Sequence, residues 1–271
     1  DNSLYKENNG KNVNNNYVYF AGYYWRIIRQ NGGGSIRLLY AGTSANATGT
    51  DLRIGTTSFN SERNSPAYVG YMYGNTINES YEKNIANEMD SNIKTELDNW
   101  YKSNIEDKGF SEYVADSGFC NDRSLNKGDG VSLENNTNYG FAARYQSHTP
   151  TLVCPQQNDL FTVTNAKGNQ ALEYPIGLIT ADELMFSGLA DGYLNRLSYT
   201  YSSNIYWAMS PRYFFAIYTA ARIAVAHPSG YIHFYNANYS YSVRPVINLA
   251  SDVEISGGIG TSNDPYVVKV V

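Results

Sequence analysis

Between Leu197 and Ala250 the chain has no Asp, no Glu and no Lys, yet it is dense in Tyr and Phe. Two phrases bracket this segment: Tyr206-Trp207-Ala208-Met209-Ser210-Pro211 before it and Val243-Arg244-Pro245-Val246-Ile247-Asn248-Leu249 after it. β-strands favour such aromatic and β-branched runs, with alternate positions turned inward. Adjacent aromatics such as Tyr213-Phe214-Phe215 and Phe234-Tyr235 then point to opposite faces, so one of each pair faces outward or toward a partner. Tyr interleaved with Ala, Ser, Asn and Thr is also the chemistry of an antibody-like paratope, offering large contact area at low entropic cost. Core packing and a binding face both fit this composition.

The rest of the 271 residues narrows the class. Hydrophobic content of 42% suits a globular core, and 26 tyrosines stand out. A net charge of −5 without Lys/Arg runs gives no footprint for nucleic acid or an anionic membrane surface. No stretch is apolar enough to span a bilayer, and no signal peptide is present. The abrupt start at Asp1 leads us to expect a mature or truncated ectodomain. Only Cys120 and Cys154 occur, neither in a CxxC pair, and His148, His227 and His233 lack zinc-ligand spacing. The polar, Asn- and Tyr-rich character favours a disulfide between them, with two isolated buried thiols as the alternative.

Residues 1–16 read as a polar lead-in or linker, and 17–271 as a single ligand-binding domain. Tyr17–Arg29, Gly32-Gly33-Gly34 and Ser35–Ala41 predict a hairpin, and Thr43–Asn78 a long surface excursion. Glu79–Ile105 is predicted helical, with Ile93, Leu97, Trp100 and Tyr101 as its apolar stripe and Lys94, Glu96 and Asp98 off it. Asp107–Glu173 reads as loop-rich around a strand at Leu160–Thr164. Thr180-Ala181-Asp182-Glu183 is a capping-box pattern opening a short helix. Strands are expected at Ile205–Met209, Ile223–Ala226, Gly230–Phe234, Val243–Leu249 and Tyr266–Val270. The fold class is α+β: an antiparallel sheet from both chain ends, with long insertions and two helical regions in the middle.

Tyr24-Trp25-Arg26-Ile27-Ile28, Tyr174-Pro175-Ile176-Gly177-Leu178-Ile179-Thr180 and the two bracketing phrases join Gly260-Thr261-Ser262-Asn263-Asp264-Pro265-Tyr266-Val267-Val268 as a set. Together they resemble the surface-exposed, C-type-lectin-fold domains of gut Gram-positive bacteria and their phages, a subtype similar to formylglycine-generating enzymes. Some of those domains follow a pilin-like N-terminal helix. The resemblance implies a variable protein of a diversity-generating retroelement, with hypervariable residues in about 203–242. Such retroelements mutate adenines, typically in Asn codons ending in C or T, which cannot then become Lys, Glu, Gln, Met or Trp codons. None of those five residues occurs from Arg212 through Tyr241, although each appears elsewhere.

The expected ligand-binding positions are Arg212, Tyr213, Phe215, Ala216, Ile217, Tyr218, Ala224, Ala226, His227, Tyr231, His233, Phe234, Tyr235, Asn236, Tyr239 and Tyr241. The expected partner is a protein or glycan on another cell, phage or host surface, with the chain itself extracellular or at a cell surface, anchored or pilus-associated through a further N-terminal segment. The alternative is a fixed-specificity adhesin or carbohydrate-binding module. No catalysis is expected: formylglycine-generating enzymes need two nearby C-terminal-region cysteines for copper, and both cysteines here precede that region. Asp159, Asp182 and Glu183 are conceivable acid/base groups, but Asp182 and Glu183 are better explained by first-turn helix electrostatics. The calcium-lectin motifs Glu-Pro-Asn, Gln-Pro-Asp and Trp-Asn-Asp are missing. Asn126-Lys127-Gly128-Asp129-Gly130 lacks full calcium-ligand spacing and reads as a turn, leaving no cofactor expected beyond a structural calcium there. Trp25, Trp100, Trp207, Ile247 and Leu249 are the expected core.

Overall fold

A computed structural model describes residues 13–164, 168–190 and 194–270. Its first sheet is made from both ends of the chain. In order across the sheet run Val246–Leu249, Ile36–Tyr40, Tyr23–Gln30, Tyr17–Phe20, Tyr266–Val268 and Ile255–Gly257. Every neighbouring pair is antiparallel except Tyr17–Phe20 with Tyr266–Val268, where Val18 pairs with Tyr266 in parallel. The predicted first arm folds as two strands, because Ala21 and Gly22 both take positive φ and close a tight two-residue turn.

The second sheet holds the aromatic segment. Tyr231–Asn236 lies at its edge, followed by Ala220–His227, Tyr206–Phe215, Ser240–Val243 and Gly55–Ser58. Thr137–Tyr139 pairs with the far half of Tyr206–Phe215, and Leu125–Lys127 pairs with Thr137–Tyr139. The expected continuous strand Val243–Leu249 is broken. Pro245 has no N–H to give a ladder, and there the chain passes from the second sheet (Ser240–Val243) to the first (Val246–Leu249). Arg244 at the crossover is buried and ties both neighbours down, donating to the Tyr40 carbonyl (2.9 and 3.1 Å) and the Thr200 carbonyl (3.0 Å).

Four α-helices occur among the described residues: Tyr81–Asn84, Asn92–Tyr101, Gly140–Ser147 and Ala181–Phe186. The predicted long helix from Glu79 is interrupted by a short strand, Met89–Asp90, and restarts where the Ser91 hydroxyl caps Lys94 N–H. Ile93, Leu97, Tyr101 and Ile105 form its buried stripe. Trp100 is half-buried, against the rings of Tyr23, Trp25 and Tyr40. Lys94 and Asp98, expected off the stripe, are buried instead and pair at 2.7 Å. Gly140–Ser147 sits inside the stretch read as loop; no side chain caps its start, so it carries no N-terminal signal. The Thr180/Glu183 capping box forms as read from the sequence.

Trp25, Trp207, Ile247 and Leu249 are buried as expected. The supposed surface excursion Thr43–Asn78 is corrected: Phe59, Ala67, Val69 and Tyr71 from it enter the core. Its polar composition hid a minority of well-spaced apolar side chains, which is enough to dock a segment. Of the predicted lead-in, residues 1–12 lie outside the described residues, while Val13 and Asn16 are buried, Asn16 donating to the Ile27 carbonyl at 3.0 Å. Cys120 and Cys154 form a disulfide with Cα atoms 5.6 Å apart. No helix among the described residues is long and apolar enough to cross a membrane.

Candidate ligand-binding face

Register decides which aromatics share a face. Across the outer hairpin Tyr231 pairs with His227, His233 with Val225 and Tyr235 with Ile223, so these six side chains lie on one side. Phe234 pairs with Ala224, Ile232 with Ala226 and Asn236 with Arg222, which places those six on the other.

On the first side the rings form a ladder. Tyr231 stacks on His227 at 4.7 Å, and His227 meets His233 at 5.8 Å. His233 meets Tyr235 edge-on at 4.8 Å, and Tyr235 meets Tyr241 at 5.0 Å. Tyr239 closes the end against both Tyr235 and Tyr241. Tyr241 in turn rests on Trp207, whose indole donates to the Thr57 carbonyl at 2.9 Å. Tyr235 and Tyr241 are thus half-buried against the core, His227, Tyr231 and His233 are half-buried, and Tyr239 is exposed.

Several packing tyrosines spend their hydroxyls on carbonyls, although among the described residues the buried Tyr101 does not. Tyr139, Tyr145 and Tyr206 are buried and spend their hydroxyls on the Pro66, Ile232 and Thr200 carbonyls at 3.0, 3.0 and 2.6 Å. Among the described residues, no hydrogen bond occupies the hydroxyls of Tyr231, Tyr235, Tyr239 or Tyr241. Burial, followed by the neighbouring Tyr235 and Tyr239 phenols, pushes Tyr241 up to about 12; burial likewise raises Tyr235. Partial burial lowers His227 below the ordinary imidazole value, and its Nδ1 accepts from Ser229 N–H. With no carboxylate or lysine in the segment, the ladder presents phenol and imidazole groups for hydrogen bonding.

The opposite side is mostly covered. Phe234 is half-buried beneath the helix Gly140–Ser147, edge-on to Tyr145 at 5.1 Å and 6.4 Å from Phe141. Five of the expected contact positions therefore move to the scaffold. Ala224, Ala226, Asn236 and Arg212 are buried, and Phe234 packs on the core. The Asn236 Oδ1 accepts from Arg222 Nε at 3.0 Å, and the Arg212 guanidinium lies 5.1 Å over the Phe234 ring. Period-two alternation sorts these side chains from Tyr231, His233 and Tyr235, but docking of a helix decides which set is covered.

A second, smaller group lies where the strands Tyr206–Phe215 and Ala220–His227 join. Tyr213 meets Phe215 at 5.9 Å and Phe215 meets Tyr218 at 5.1 Å. Ile217 and Tyr218 in the 3-10 turn Ala216–Tyr218 are the most exposed of the expected positions, at 80% and 59%. Tyr213 accepts from Arg222 at 3.2 Å, and Ala216 is half-buried against the core. Arg222 was missing from the expected list; its signal is that, besides Arg212 and Arg244, it is a cation inside the carboxylate-free segment.

The acids considered for catalysis are committed elsewhere. Asp159 is buried and accepts from Arg123 N–H and Nε at 2.6 and 2.7 Å. Asp182 and Glu183 line a polar cleft of about 650 Å³ on another part of the surface. There Arg144 grips Asp182 through two hydrogen bonds at 2.7 and 2.9 Å, while Arg29 and Arg37 reach Glu183 at 2.9 and 2.7 Å. Burial pushes the Glu183 carboxyl up, and Arg37 and Arg29 outweigh it, leaving Glu183 below its ordinary value. Ion pairing thus adds to the helix-terminus role read from the sequence. Asp129 spends Oδ1 on the N–H groups of Val131 and Ser132, the geometry of a turn. Comparison of the chain with protein-family models, with curated proteins and with solved structures found no match.

Proposed function

We propose that this chain is a non-enzymatic ligand-binding protein in which a C-type-lectin-like scaffold displays a diversified tyrosine-rich surface. One observation carries the reading: Tyr231, His227, His233, Tyr235, Tyr239 and Tyr241 form an unbroken ring ladder whose tyrosine hydroxyls are unspent. Rigid aromatics with free polar tips bind protein or glycan at small entropic cost. The sheet built from both chain ends supports the lectin-type scaffold, and the disulfide fits an extracellular or cell-surface setting. In this reading the diversified positions are those on the ladder and in the 3-10 turn, whereas Ala224, Ala226, Phe234, Asn236 and Arg212 belong to the fixed frame.

The test is genetic and biochemical. A near-identical template copy beside the gene should differ from it only at adenines, and the differences should translate to ladder and turn positions. An intact neighbourhood with neither template nor reverse transcriptase refutes diversification. A glycan array with clear binding, lost in Tyr235→Ala and identical among sister copies, would instead establish a fixed-specificity adhesin.

A further inference from the structure

Apart from Arg212, the buried arginines among the described residues fall into two kinds. Arg37 pairs with Glu183 and Arg123 with Asp159, at 2.7 Å each. Arg26 and Arg244 are equally buried, and no salt bridge joins either to an acid among the described residues. Buried charge is normally paired, because its desolvation is otherwise uncompensated. Arg244 is held by the Tyr40 and Thr200 carbonyls and lies 4.8 Å over the Tyr206 ring. Arg26 donates to the Val13 carbonyl and lies 4.1 Å over the Tyr17 ring, but its Nε finds no acceptor. Burial first, and Arg244 as a like charge, lower Arg26 from its ordinary value.

Both line a pocket of about 380 Å³, together with the exposed Arg196 and the hydroxyl residues Thr48, Ser202 and Ser203. Among the described residues that line it there is no carboxylate; Asp51, in the adjoining turn Gly49–Leu52, is not one of them. The contrast with the 650 Å³ cleft is direct. In that cleft Arg29, Arg37 and Arg144 are matched by Glu183, Asp182 and Asp122, so its cations are already neutralised.

We propose that the pocket of Arg26, Arg196 and Arg244 binds a small oxyanion, the carboxylate of a sugar acid or the phosphate of an ester, as a counterion that the described residues do not supply. Planar guanidinium forks suit both groups. The volume lies at the small end of ligand pockets and suits a monosaccharide-sized molecule. The site is distinct from the aromatic ladder, although the segment forming its wall touches the hairpin turn beside it. Asn195 N–H donates to the Gly230 carbonyl at 2.9 Å, and the Tyr201 hydroxyl to the Pro228 carbonyl at 3.1 Å.

Calorimetric titration of the intact protein at constant ionic strength in chloride tests this, using inorganic phosphate, glucuronate and, as the neutral control, galactose. Saturable binding is expected for at least one anion and none for galactose at this site. Tighter glucuronate binding assigns a sugar acid, and tighter phosphate binding a phosphate ester. Arg196→Gln, a substitution at the exposed rim that leaves the buried frame intact, should weaken the anion at least tenfold. Tyr235→Ala should leave it unchanged, which keeps the result separate from the fate of the ladder. Absence of saturable binding by both anions overturns the proposal, as does unchanged affinity in Arg196→Gln.

Discussion

Truncating Phe234 and Tyr218 separately to alanine asks whether frame and display surface are distinct. Both are aromatic, both lie within the segment lacking carboxylates, and the sequence offers no way to rank them. Phe234 loses an edge-on contact with Tyr145 at 5.1 Å, contacts with Tyr213 and Phe141 at 6.2 and 6.4 Å, and the Arg212 guanidinium at 5.1 Å. A fully buried Phe→Ala change costs about 3–5 kcal/mol, and the half-buried Phe234 should cost about 2–3 kcal/mol. At about 2–4 °C per kcal/mol for a chain of this size, its melting temperature falls by about 5–10 °C. Tyr218 is 59% exposed and meets one ring, Phe215, at 5.1 Å. Its loss should cost below about 1 kcal/mol, a shift of at most about 3 °C. Differential scanning calorimetry of the two variants beside the unmodified protein settles the order. If Tyr218→Ala melts as early as Phe234→Ala, the turn aromatics are part of the core, and the separation of frame from surface is wrong.

Two further outcomes follow from chemistry away from the ladder. Reducing Cys120–Cys154, or replacing both by Ser, opens a link across 34 positions and should cost about 3–4 kcal/mol in the chain-entropy model, read as an earlier melt with reductant and no change in a double-Ser variant on adding it. The pH dependence has two limbs: burial, working against Lys94, raises Asp98 from 3.8 to about 6, so as pH falls through about 6 toward 3.8 the folded state gains a proton ahead of the unfolded state and stability rises. Glu183 is depressed, so its contribution is present above its ordinary value and is lost as pH falls through its folded value. Melting curves from pH 7 to 3 should therefore rise and then fall, and Asp98→Asn should flatten the rise; a monotonic fall from pH 7 refutes the Asp98 assignment.

What could be read from the residues was whatever depends on local pattern. The capping box at Thr180 and Glu183, the glycine turn at Gly32–Gly34 and the disulfide were legible because each is set by spacing or by composition. The joining of both chain ends in one sheet is legible through short, mostly apolar runs at Ile36–Tyr40 and Tyr266–Val268. The candidate site was half legible. Alternation separates Tyr235 from Phe234, but only the docked helix Gly140–Ser147 shows that Phe234, Ala224 and Ala226 face protein. That helix has no capping side chain, so its sequence carries no local sign of its covering role. The break at Arg244-Pro245 was misread because apolar residues continue on both sides of it, each side serving a different sheet. Neither the buried ion pairs nor the unmatched Arg26 and Arg244 leave a local trace, since their partners come from distant segments.

The crossover at Pro245 has a consequence for how such a protein can change. The Tyr40 N–H donates to the Pro245 carbonyl at 2.9 Å, and Leu39 pairs with Val246. The chain therefore leaves the first sheet at Ala41 and returns to it at Arg244 through adjacent points on neighbouring strands. The excursion between, which includes the whole ladder, is tied back to the first sheet by bridges of Val114 with Leu249 and Gly177 with Val246 and by the ion pairs of Arg29 and Arg37 with Glu183. The outer hairpin 220–236 lies beyond these ties, so a change of its ladder side chains leaves the strands on either side of the exit in place. Arg244 joins the exit to the return through its bonds to the Tyr40 and Thr200 carbonyls, so the proposed variable segment ends beside a position held by buried hydrogen bonds.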